Sequence, residues 1–112
     1  MTRSLERLLA ICLLSRDHAR MRQAEAERHC RELQERLAQL QQTRPAEADL
    51  ALPFRQRAWL LHRQWSDRHR RQLLQELAGQ TARTLELRRE SGIADMRHKL
   101  VERLRGPPHD KA

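Results

Sequence analysis

Leu5, Cys12, Ala19, Ala26, Leu33 and Leu40 recur every seven residues, and all six are apolar. Leu9, Arg16, Gln23, Cys30 and Leu37 follow the first five of them at a four-residue step. This alternation is a heptad seam, strong at both ends and weak at Arg16 and Gln23. No Gly or Pro interrupts residues 4–42, and Ser4 suits an N-cap. The pattern predicts one helix over 4–42, on the order of 60 Å long at 1.5 Å per residue. Glu27 with Arg31 and Glu32 with Arg36 add i,i+4 pairs in the favourable order.

Pro45 disfavours helical geometry at Arg44, so the helix ends near Thr43. Residues 43–53 read as a connector, with a short helical turn after Pro45, and Pro53 suits the first turn of a second helix. That helix is expected over 54–105. Phe54, Ala58, Leu61 and Trp65 lie at i, i+4, i+7 and i+11 on one narrow face. The apolar pattern then lapses, resumes rotated as Leu73, Leu77, Thr81 and Thr84, and resumes rotated again as Ile93, Met96, Leu100 and Leu104. Such rotation means stutters in a long helix, or a break near Gly79 or Gly92. Residues 106–112 read as a disordered tail.

Two long helices and a short connector predict an all-α chain, a single antiparallel coiled-coil hairpin over residues 1–112. A symmetric turn would set Leu40 beside Ala58, Leu37 beside Leu61, Leu33 beside Trp65 and Cys12 near Leu85. Further association stays open through Leu73, Leu77 and Leu87. The run Leu8–Leu14 is apolar all round the helix. Either the C-terminal segment wraps over it, the favoured reading, or it is a patch for a partner.

Composition agrees with helix. Charged residues make up 34% and aromatics 3% of the 112 residues, and β-formers are too few for a sheet. Cys12 and Cys30 fall on seam positions and suit small buried residues in a reducing, intracellular setting. The run Leu8–Leu14 is too short to span a membrane.

The search for catalytic chemistry finds no phosphate-binding loop, no nucleophile elbow and no zinc-protease motif. A lone hairpin also offers no enclosed cleft. The expectation is a chain that is not an enzyme, with no catalytic residues, no cofactor and no metal site. His62 and His69, two turns apart, read as helix-surface histidines.

The net charge of +8 is local. Residues 54–72 carry Arg55, Arg57, Arg63, Arg68, Arg70 and Arg71 against Asp67 alone, and hold every aromatic ring of the chain. With Phe54 and Trp65 on the expected seam, only Trp59 points outward. Trp59 ringed by the six arginines has the composition of a protein-docking hot spot, and these seven residues are the candidate partner-binding site. The alternative is a basic helical nucleic-acid binder, for which one outward tryptophan makes a poor stacking platform.

Helix one, "LERLLAICLLSRDHARMRQAEAERHCRELQERLAQL", resembles the YscO/FliJ-type stalk proteins of bacterial type III secretion. The likeness lies in Leu5, Leu8 and Leu9, in Arg16 and Ala19, and in Leu33, Leu37 and Leu40. It covers helix one in sequence and helix two in architecture only. The resemblance implies a non-catalytic coiled-coil adaptor in virulence or flagellar protein transport. Such a stalk sits in the centre of the hexameric secretion ATPase and reaches toward the export-gate protein, with secretion chaperones as further partners. It implies a cytoplasmic location, peripheral to an inner-membrane secretion apparatus.

Overall fold

The computed structural model describes residues 2–43 and 51–106. They form α1, Thr2–Gln42, and α2, Leu52–Arg105, with no strand among them. The chain is an all-α antiparallel hairpin. The connector reading for 44–50 and the tail reading for 107–112 fall outside the described residues.

Helix ends follow local chemistry. The α1 helix begins at Thr2, so Ser4 lies within its first turn rather than capping it. At its other end the Thr43 amide donates to the Leu40 carbonyl at 3.2 Å. The Thr43 hydroxyl donates to the Gln39 carbonyl at 2.9 Å. Both satisfy carbonyls that a helix end leaves without partners. In α2 the Arg55 amide donates to the Ala51 carbonyl at 2.9 Å, and Pro53 occupies the first turn. Gly106 closes α2 with φ of 85°, its amide donating to the Arg103 carbonyl at 3.0 Å. Only glycine adopts that backbone without steric cost.

The α2 helix runs unbroken through Gly79 and Gly92, so neither glycine interrupts it. A Cβ at either position would meet nothing within 4 Å. Both glycines therefore sit on the outside of the helix, where each costs propensity but no packing.

The chain divides into two compact units, one of Met1–Glu27 with Ala82–Ala112 and one of Arg28–Thr81. In the second unit Leu33, Leu40 and Leu73 form a buried cluster against which Leu37 and Leu77 pack. Leu40 thus meets Leu73, not Ala58. In the first unit Arg20 pairs with Asp95 at 2.8 Å, Arg88 with Glu27 at 3.1 Å and Arg22 with Glu90 at 3.5 Å. Residues 20 and 95, and 27 and 88, are opposite neighbours, which brings Cys12 level with the end of α2 rather than near Leu85. The symmetric turn assumed from the sequence is the error. Such a register would set the end of α1 against the start of α2, whereas Leu40 packs in one cluster with Leu73, well inside α2.

The seam of α1 lies where the heptad places it. Every position from Leu5 to Leu40 in the 4–3 alternation is buried or half-buried, Arg16 and Gln23 included, while the positions between are exposed apart from Glu27. Gln23 reaches Glu27 at 3.1 Å, and the same Glu27 oxygen accepts from Arg88. The polar break in the seam is thereby tied to the ion pair beside it.

The seam of α2 differs from the expected one. Apart from Asp95, which is half-buried beside Arg20, its least exposed residues are Ala58, His62, Ser66, Leu73, Leu77, Gln80, Thr84, Leu87, Ser91, Ala94, His98 and Val101. From Leu73 onward they keep a strict 4–3 alternation, so α2 carries no stutter there. Phe54, Leu61 and Trp65 are 63%, 56% and 48% exposed and are not seam residues. Thr81 is also exposed, its hydroxyl donating to the Leu77 carbonyl at 2.7 Å. Ile93, Met96, Leu100 and Leu104 stand outside as well. Helical phase, not size or apolarity, decides which residues face α1, so Leu73 and Leu87 share the seam with Thr84, Ser91 and His98. Leu73 and Leu87 are buried and Leu77 is half-buried, so these three are not a surface for association. Leu8, Ile11, Leu13 and Leu14 are exposed, so nothing described covers the apolar run of α1.

Candidate functional site

The candidate residues all lie in the Arg28–Thr81 unit, on the first five turns of α2. At 100° per residue, Trp59, Arg63, Ser66 and Arg70 fall on one face of the helix. That face meets the end of α1. Leu40, Thr43, Trp59, His62, Arg63 and Arg70 line a recess of about 450 Å³ between the two helices. The His62 Nε2 lies 3.0 Å from the Thr43 carbonyl oxygen and ties α2 to the residue that follows α1. His62 is thus an inter-helix contact, not the solvated surface histidine expected from the sequence.

Trp59 does point away from the stripe of Phe54, Leu61 and Trp65, but it is not the only available tryptophan. It is 40% exposed on the rim of the recess, and Trp65 is the more exposed of the two. The rings form a ladder along the helix. Trp59 meets His62 edge-on with centroids 6.5 Å apart, His62 meets Trp65 at 5.6 Å, and Trp65 stacks on His69 at 5.3 Å. The spacing of three, three and four residues sets consecutive rings one turn apart, where helix-surface side chains touch. That spacing was present in the sequence. The apolar character of Trp65, which suits a seam residue, masks it.

All six candidate arginines are exposed. Arg57, Arg63, Arg68, Arg70 and Arg71 make no ion pair with any carboxylate among the described residues. The contrast with Arg20, Arg22 and Arg88, each bound to an acid on the opposite helix, is sharp. Arg63 and Arg70 flank the recess, with Asp67 the one acid at its edge among the described residues. Arg68 lies beside the exposed Trp65–His69 stack in sequence, and Arg57 and Arg71 extend the charge on another face. The patch combines a positive field with flat ring surfaces and a concave, partly apolar recess. Such a surface receives an acidic partner carrying an apolar or planar group.

Among the described residues no three His, Cys, Asp or Glu side chains converge as metal ligands, and no helix is long and apolar enough to cross a membrane. Cys12 and Cys30 are in no disulfide among the described residues and lie half-buried on the α1 seam. Neither a family model, nor a curated protein, nor a solved structure matches this chain. The YscO/FliJ-type resemblance therefore stands on the leucines and heptad of α1 alone.

Proposed function

We propose that this chain is a non-catalytic coiled-coil adaptor that docks an acidic protein surface on the basic, aromatic first turns of α2. The observation that carries the reading is the Trp59–His62–Trp65–His69 ring ladder beside Arg57, Arg63, Arg68, Arg70 and Arg71, which pair with no carboxylate among the described residues. A helix that needed those arginines only for solubility would gain nothing from holding two tryptophans half-exposed among them. With the resemblance of α1 to YscO/FliJ-type stalks, the partner is a hexameric type III secretion ATPase. The hairpin links that ring to the export-gate protein and takes secretion chaperones as further partners. In that role it works in the cytoplasm, at the inner-membrane apparatus. Purified chain mixed at low salt with a secretion ATPase should co-purify with the hexamer and raise its hydrolysis rate. Neither effect at low salt would sink the reading.

A basic nucleic-acid-binding hairpin is the second reading. The exposure of Trp65 favours it, because two outward tryptophans can stack on unpaired bases where one could not. A mobility shift with single-stranded DNA or RNA whose affinity falls steeply with salt would move the assignment there.

A further inference from the structure

In the unit built from Met1–Glu27 and Ala82–Ala112, the side chains left outside are larger than those inside. The α2 seam there is Thr84, Leu87, Ser91, Ala94, His98 and Val101. Outside it, Leu8, Ile11 and Leu14 of α1 and Met96, Leu100 and Leu104 of α2 are 43 to 70% exposed.

The ion pairs fix where these six lie. Arg20–Asp95 and Glu27–Arg88 mark one edge of the seam, and Arg22–Glu90 marks the other. Two heptads back from Arg22 along α1 is Leu8, and two heptads on from Glu90 along α2 is Leu104. Leu8 and Leu104 therefore flank the Arg22–Glu90 edge and stand level with each other. Ile11 and Leu100, with Ile93 one heptad before Leu100, follow one step further round their helices on that same side, whereas Leu14 and Met96 lie on the backs of their helices, opposite the seam. One apolar face thus runs across both helices.

We propose that this face binds a second copy of the same chain, closing the unit into a four-helix bundle. Leu8, Ile11, Ile93, Leu100 and Leu104 offer on the order of 500 Å², and the stems around them extend the face toward the roughly 800 Å² that each partner gives a standard interface. A two-fold interface needs a surface complementary to itself, which an apolar face is. The arginines around Trp59 could not serve, because they would meet their own like charge. On that edge Arg22 and Glu90 are already paired, and the exposed Arg97, one heptad before Leu104, is the cation that a second copy has to accommodate. The interface uses no residue of the basic patch.

Sedimentation equilibrium of the full chain tests this, alongside melting followed by circular dichroism from low to high micromolar concentration. The expected result is twice the single-chain mass and a Tm that rises with concentration. Ile11→Glu and Leu100→Glu together should return the single-chain mass. Both positions are more than half exposed within the hairpin, so the seam is untouched. Should that variant unfold, the concentration dependence of the unaltered chain still decides. A single-chain mass with concentration-independent melting would overturn the proposal. So would a dimer that survives both substitutions. So would a single chain that sediments with anionic lipid vesicles and loses that binding in the variant, since the face would then be a membrane surface.

Discussion

Trp65 stacks on His69 with ring centroids 5.3 Å apart and planes 13° from parallel, on a face of α2 that no described residue of α1 covers. A stacked pair of this kind contributes about 0.5–1.5 kcal/mol beyond area burial, and less where both rings are wet. Trp65→Ala should therefore cost under about 1 kcal/mol of stability, read by urea unfolding. Trp59→Ala should cost more, about 1–2 kcal/mol, because Trp59 also lines the recess against the end of α1. Both should weaken docking of an acidic partner. Equal stability losses would mean that the recess contributes no packing.

Leu33 is 1% exposed and Leu61 is 56% exposed, although apolar periodicity placed them on facing seams. Leu33→Ala should cost about 3 kcal/mol. Leu61→Ala should cost under about 0.5 kcal/mol, as at most exposed positions. Denaturant midpoints at constant slope separate the two. A large loss at Leu61 would restore the register expected from a symmetric turn.

This pair shows where sequence reading succeeds and where it stops. The α1 seam was legible because most of its heptad positions are Leu, Ala or Cys and the spacing never slips. The α2 seam was hidden because apolarity was taken as the sign of burial. Gln80, Thr84, Ser91 and His98 occupy the seam, while Ile93, Met96, Leu100 and Leu104 stand outside. A different signal was available. From Leu73 to Val101 the 4–3 positions hold no Arg, Lys, Asp or Glu, and that absence marks the inner face of a chain that is 34% charged. The same confusion hid half of the site. The six arginines are legible as a charge cluster, but Trp65, large and apolar, reads from sequence as core.

Gly79, Gly92 and Gly106 separate helix propensity from backbone strain. No atom lies within 4 Å of a Cβ built on any of them, but only Gly106 has positive φ. Gly79→Ala and Gly92→Ala should each stabilise by about 0.5–1 kcal/mol, raising Tm. Gly106→Ala should lower stability by about 1 kcal/mol, the cost of a left-handed backbone for an L side chain. Destabilisation by Gly79→Ala would place another chain against that face.

Glu27 accepts from Gln23 and from Arg88, whereas Glu90 meets Arg22 at 3.5 Å with both partners largely wet. A double-mutant cycle on Glu27→Ala and Arg88→Ala should give a coupling of about 0.5–1 kcal/mol. The Arg22–Glu90 cycle should stay under about 0.5 kcal/mol and vanish at high salt. A larger coupling at Arg22–Glu90 would show that this edge is shielded from solvent in solution, as a second copy seated on it would do.

Arg63 and Arg70 border the recess, while Arg57 and Arg71 carry the same charge on another face of α2. None of the four has a carboxylate partner among the described residues, so removing one forfeits no attraction within the chain. Changing any of them to Gln should leave Tm unchanged or slightly higher, because the stretch repels itself. Binding should discriminate between the faces. A charge-assisted hydrogen bond in the recess contributes about 1.5–3 kcal/mol, so Arg63→Gln or Arg70→Gln should weaken an acidic partner about 10- to 100-fold. Arg57→Gln and Arg71→Gln contribute only to the long-range field and should cost a few-fold, an effect that disappears as salt screens it. Titration calorimetry at low and high ionic strength distinguishes the two kinds of arginine. If all four lose affinity equally and only at low salt, the patch acts as a diffuse positive field and the recess is not where the partner docks.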